Sequence, residues 1–200
     1  MKRRTLRSGV GMASLCALVA LAGGLLISGC KGQPTEPAES KLRVGTYDSR
    51  SVAAAYFLTP FYEEDKSRQI KAAQEELEKA KGTGDQKQIA DAEAKLNDVP
   101  PKMGIHLHRQ FFSTAPVDDI LVHIQDQMPG IAKAAGVGFI ISKWDKKAMA
   151  EYKGAELVDV TMAMVNAFHP EEEQLKLAVE IREKEPIPLE EAEKMDWSKE

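Results

Sequence analysis

Two stretches of the chain carry the same apolar spacing in mirror order. Apolar positions fall at Ile70, Ala73, Leu77 and Ala80, and past Gly82-Thr83-Gly84-Asp85 they recur at Ile89, Ala92, Leu96 and Val99. Both runs step by three, four and three, which is the a/d spacing of a coiled coil. Paired outward from the turn (Ala80 with Ile89, Leu77 with Ala92, Ala73 with Leu96, Ile70 with Val99), the numbers of each pair have a constant sum. Two antiparallel helices produce that constancy, because one arm climbs while the other descends. The pattern predicts a helical hairpin over about 60–99. Thr59 is its N-cap, Pro60 its first helical position, and Glu63, Glu64 and Asp65 suit the positive end of the first arm. Asp85 caps the second arm, which Pro100-Pro101 is expected to end.

The flanking patterns are shorter. Leu42 to Tyr47 alternates as a half-buried strand does, and Asp48 or Ser49 then caps a helix carrying Val52, Ala53, Tyr56 and Phe57. Lys102 to Ala115 reads as loop with a helical turn. From Thr114-Ala115-Pro116 the residues Val117, Ile120, Leu121, Ile124, Met128, Ile131, Ala132 and Ala135 share one helical face, kinked at Pro129 and closed by Gly136. Val137 to Ser142 is a continuous apolar run, expected as a buried strand, and Glu156 to Val160 a third short strand. Asp159 or Thr161 opens a helix with Met162, Val165 and Phe168 inside, ending at His169-Pro170. Glu171 to Glu185 is weakly amphipathic, and Pro186-Ile187-Pro188 begins an acidic arm or disordered tail. The predicted class is α+β: mainly helical, a small β body with a protruding antiparallel hairpin. The organisation is a signal over 1–29, a tether over 30–40, one domain over 41–169 and a C-terminal helix with acidic tail over 170–200.

The amino terminus changes what chemistry is open to the protein. Lys2, Arg3, Arg4 and Arg7 precede an apolar stretch that ends Leu26-Ile27-Ser28-Gly29-Cys30, the pattern of a cleaved secretory signal. The Ser-Gly-Cys ending resembles the bacterial lipobox, which implies cleavage before Cys30 and a diacylglyceryl and acyl anchor on it. Lys31, in place of Asp, leans toward the outer membrane. Lys31 to Ser40 has no large apolar residue and reads as a tether reaching about 30 Å. Cys16 leaves with the signal and Cys30 is consumed by lipid, which excludes disulfides, Cys nucleophiles and Cys metal sites. Losing the four n-region cations moves the formal charge from −4 to −8. That acidic balance argues against nucleic acid as a partner.

Candidate chemistry is thin. His106, His108 and His123 are the one arrangement reminiscent of a three-His metal site, but Pro101 and Gly104 place His106 and His108 in a loop, and surface and packing histidines are the reading adopted. Asp118-Asp119 and Glu171-Glu172-Glu173 sit where a helix dipole alone explains them. Gly136-Val137-Gly138 lacks the third glycine of a dinucleotide loop, and no nucleophile-elbow, Walker, zincin or EF-hand pattern occurs. Met162, Met164 and Phe168 read as core rather than a binding face. No catalytic residue, metal or cofactor is assigned.

Three stretches carry a resemblance: Arg43-Val44-Gly45-Thr46-Tyr47-Asp48-Ser49-Arg50-Ser51-Val52, then Ala134-Ala135-Gly136-Val137-Gly138-Phe139-Ile140-Ile141-Ser142, then Val158-Asp159-Val160-Thr161 with the helix to Phe168. In their order around a helical hairpin they resemble the OmpH/Skp family of periplasmic chaperones, here in lipoprotein form. The resemblance implies a trimer whose strands build a small body and whose hairpins surround unfolded outer-membrane proteins. Three features differ from the family: arms of about 20–30 Å at 1.5 Å per residue, a negative mature charge, and lipidation. The expected function is therefore non-covalent holding of unfolded or membrane proteins at the envelope. The rival is a structural or adaptor lipoprotein docking one folded partner through the hairpin.

Overall fold

The computed structural model describes residues 41–197, which fall within the unit Ser40–Glu200. The signal segment, the lipid-attachment residue Cys30 and the tether lie outside the described residues. The chain is mainly helical with one small sheet, in keeping with the α+β class. The sheet has three strands in the order β2-β1-β3, with β1 (Arg43–Tyr47) paired parallel to both β2 (Ile140–Ser142) and β3 (Glu156–Asp159). Gly45 lies opposite Ile140, and Val44 opposite Leu157.

The central strand needs its glycine. A Cβ on Gly45 would lie 2.9 Å from Ile140 Cγ1 and 3.2 Å from Val137 Cγ2. Gly45→Ala is therefore expected to destabilise the fold by about 1–3 kcal/mol through overpacking. A thermal or urea midpoint equal to that of the unchanged protein would show that the Ile140 side chain simply moves aside.

Helix α1 (Ser49–Tyr56) is buried along its whole length. Asp48 caps it by accepting from the Arg50 N–H. Its run Val52-Ala53-Ala54-Ala55 offers little side-chain bulk on any side. Other elements approach it closely: α3 (Gln86–Phe112), α4 (Asp118–Leu121), α7 (Thr161–Ala167) and α8 (Glu172–Glu180) all contact it, whereas α6 (Lys146–Glu151) joins β2 to β3. The apolar core consists of Val52, Tyr56, Ile120, Ile124, Met164, Val165 and Phe168 among others. The chain leaves α1 through Leu58, which takes a left-handed φ of 61°, and enters α2 (Pro60–Thr83) behind its Thr59 cap. Gly84, at φ 73°, ends α2, and Asp85 caps α3 by accepting from Lys87 and Gln88 N–H.

Several expectations are corrected. Pro100-Pro101 does not end the second long helix, and Lys102 to Phe112 is helix rather than loop. Each proline costs a helix about 3 kcal/mol by removing an N–H and crowding the preceding turn. Here both prolines are exposed, while Leu107 and Gln110 beyond them are buried against the body. The helix expected from Thr114 to Gly136 is two short ones, α4 and α5 (Met128–Ala135), separated by tight i→i+3 turns at Ile120–Gln127. Pro129 does not kink α5. It occupies its first turn, where a missing N–H costs nothing.

The apolar run at 137–142 yields strand only from Ile140, half-buried at the sheet edge, because Gly136 turns left-handed and the Gly138 N–H bonds the Arg43 carbonyl. Finally, the C-terminal stretch is no loose tail. Ile187 exchanges backbone hydrogen bonds with Phe112 and Thr114, α9 (Leu189–Ala192) follows, and Trp197 is buried with its indole N–H on the Ala192 carbonyl. Local composition reads as disordered there, but Ala192 and Trp197 are both buried.

Candidate functional site

The longest helices, α2 and α3, are in contact with each other, and Lys95 Nζ meets Glu76 Oε2 between them at 2.5 Å. Of the predicted seam residues, Ala73, Leu77 and Ala80 are buried, whereas Ile70, Ile89, Ala92, Leu96 and Val99 are half-buried. None of these eight belongs to the apolar core around α1, which takes only Phe61, Tyr62, Met103, Leu107 and Phe111 from α2 and α3. The middle of the helix pair therefore has an apolar line of its own, set among Glu, Lys and Gln.

The root of the pair is tied down by polar contacts. The His123 imidazole lies between two aromatic rings, stacked on Tyr56 at 5.5 Å and on Phe61 at 5.0 Å, and its Nε2 is 2.7 Å from Asp65 Oδ2. Tyr56 donates its hydroxyl to the same carboxylate oxygen at 2.6 Å. Burial and that hydrogen bond push the Tyr56 hydroxyl well above its ordinary pKa. On the neighbouring side His106 Nε2 is 2.9 Å from Asp119 Oδ2, and buried Gln110 donates to Asp119 Oδ1 at 2.7 Å. Burial raises the Asp119 carboxyl, but the His106 and Gln110 bonds outweigh it and hold the group below the usual range. The two His–Asp contacts fasten the α4 segment to the bases of α2 and α3 around a polar cleft of about 390 Å³.

The three histidines are thus brought to separate partners. His108 stands against Phe112 and Trp197 instead, with ring centres 4.7 and 5.4 Å away. Among the described residues, no group of three or more His, Cys, Asp or Glu side chains is placed to hold a metal ion. Met164 and Phe168 are core residues and Met162 half-buried beside them. Glu172 and Glu173 occupy the first turn of α8, and Gly136 closes α5 with its carbonyl bonded by Arg43.

A second polar cluster lies at the carboxyl end of β1. Asp48 is 0% exposed and Arg50 1% exposed, joined by Nε to Oδ1 at 3.1 Å and Nη2 to Oδ2 at 2.8 Å. Lys143 Nζ reaches Oδ2 at 2.8 Å, and Trp144 Nε1 donates to Oδ1 at 3.1 Å. Burial raises the Asp48 carboxyl, but the hydrogen bonds of Arg50 and Lys143, the Arg50 charge and the Trp144 indole hold it below its ordinary value. Arg50 Nη1 also donates to the Lys184 carbonyl at 2.7 Å. One carboxylate thereby gathers β1, the loop after β2 and the C-terminal turn. Asp48 is legible in the sequence only as a helix cap, and nothing local marks Lys143 and Trp144 as its partners.

No family model matches this chain, and no curated protein or solved structure matches it either.

Proposed function

We propose that the protein is a lipid-anchored component of the bacterial envelope, of the OmpH/Skp type, which holds unfolded or membrane proteins without covalent chemistry. In this reading α2 and α3 form an antiparallel hairpin whose seam pairs Ala80 with Ile89, Leu77 with Ala92, Ala73 with Leu96 and Ile70 with Val99. Cys30 carries the lipid, the periplasm-facing domain stands off the outer membrane on its tether, and the chain assembles as a trimer. The protein acts as a binder, not an enzyme.

The observation that carries this reading is the half-buried apolar line on a helix pair that contributes no residue between Tyr62 and Met103 to the core. Two helices alone bury such a stripe on one side, and the remaining apolar area is available to a third surface. The element order, strand then long helix pair then two further strands and a closing helix, also supports it.

The test is suppression of aggregation. The full chain at near-stoichiometric ratio is expected to keep several unrelated unfolded outer-membrane proteins from scattering light. Failure with all of them, combined with retention of one folded envelope protein on a column, would replace this reading with that of an adaptor.

A further inference from the structure

The sheet has an open edge inside a groove. Gly45 N–H donates to the Phe139 carbonyl and Lys143 N–H to the Tyr47 carbonyl, each at 2.9 Å, with Gly45 opposite Ile140 and Tyr47 opposite Ser142. Successive residues of a strand turn their amide and carbonyl groups to opposite edges. Phe139, Ile141 and Lys143 therefore face β1, and Ile140 and Ser142 face away from it. As β2 is an end strand, those outward groups have no strand to meet. Among the described residues, no hydrogen bond reaches the Ile140 N–H, the Ile140 carbonyl or the Ser142 N–H.

A groove of about 860 Å³ runs along this edge. Four consecutive residues, Ile140, Ile141, Ser142 and Lys143, line it, so it follows the β2 backbone. Leu121, Met128 and Trp144 supply apolar wall, and Asp118, Asp145, Glu185 and Glu190 stand around them. The lining cations are Lys143, already bound to Asp48, and Lys146. Four carboxylates therefore surround an apolar slot floored by unpaired backbone groups.

We infer that this groove takes an extended segment of a partner polypeptide, one alternating apolar residues with Lys or Arg, as a fourth strand on β2. Backbone pairing to a free edge supplies affinity, and pockets for alternate side chains supply selection. Charge complementarity selects a basic segment. A second copy of this chain is a poor match, since from Cys30 onward it carries a formal charge of −8 after loss of Lys2, Arg3, Arg4 and Arg7 from the −4 total. The inference goes beyond the holding role of α2 and α3 and does not depend on it, because the groove belongs to the body.

The experiment uses the full chain and a labelled peptide, acetyl-Val-Lys-Val-Arg-Val-Lys-amide, read by fluorescence polarisation. Saturable binding is expected, weakening as salt rises. It should be lost when Glu replaces Lys and Arg in the peptide. Two further peptides carry N-methyl groups on the odd or the even residues. One of them should lose binding and the other keep it, because a strand turns only one set of amides toward its neighbour. Glu185→Gln with Glu190→Gln should weaken binding roughly fivefold. Absence of saturable binding overturns the proposal, as does equal affinity for the acidic peptide or undiminished affinity of both methylated ones. A groove filled by a second copy would show as absent binding together with a light-scattering mass that rises with concentration.

Discussion

Asp48→Asn is expected to cost about 3–5 kcal/mol, a large part of a domain's stability. The carboxylate is fully buried and answers two cations and an indole N–H, Arg50, Lys143 and Trp144. An amide of the same shape keeps the acceptor oxygen near Arg50 Nε but sets an NH₂ against donors, leaving buried Arg50 uncompensated. The effect is read as a fall in the urea midpoint.

The pH dependence has a definite sign. The folded carboxyl titrates below its ordinary value of 3.8, so its contribution is fully present above that value and is lost as the pH falls through and below it. Between about pH 5 and pH 2 the unchanged protein should lose more stability than Asp48→Asn, and the two curves should converge. Equal midpoints at neutral pH would mean that the cluster is solvated and contributes little.

Leu77→Asp should open the α2–α3 pair while leaving the body folded. Leu77 is 8% exposed and lies between buried Ala73 and Ala80, so a carboxylate there enters an apolar line. The combined loss of packing and burial of charge costs about 3 kcal/mol or more. Because none of the seam residues joins the core around α1, the loss is local, a sub-global opening of one cooperative unit. Far-UV circular dichroism should show reduced helicity with the urea transition of the body retained, and aggregation suppression should fall with it. Unchanged helicity would sink the seam.

The part of the candidate surface that was legible in the sequence was the part made by neighbours along the chain. Thr59 and Asp85 are caps in the structure as their side chains predict, and both accept backbone N–H groups two or three residues on. Of the eight apolar positions that the spacing marks on α2 and α3, Ala73, Leu77 and Ala80 are buried and the other five half-buried, because helical periodicity is a property of the local backbone. The stop at Pro100-Pro101 failed for a different reason. A proline penalty is local and bounded, and it was outweighed by the burial of Leu107 and Gln110 further along the same helix. The acidic tail failed likewise: Glu and Pro dominate its composition, yet Trp197 and Ala192 are buried.

By itself, then, the sequence determined much of the punctuation of this protein: which sides of the long helices are apolar, and the caps at Asp48, Thr59 and Asp85. The tertiary structure alone decided which faces meet. It set Asp65 beside His123, 58 positions away, and Asp48 beside Trp144, 96 positions away. It also put β2, the second strand along the chain, at the rim of the sheet, with the amide of Ser142 turned outward. The physical reason is the range of the forces. Periodicity and capping act within a turn of the chain, whereas burial and charge pairing depend on surfaces that become neighbours only after it has folded.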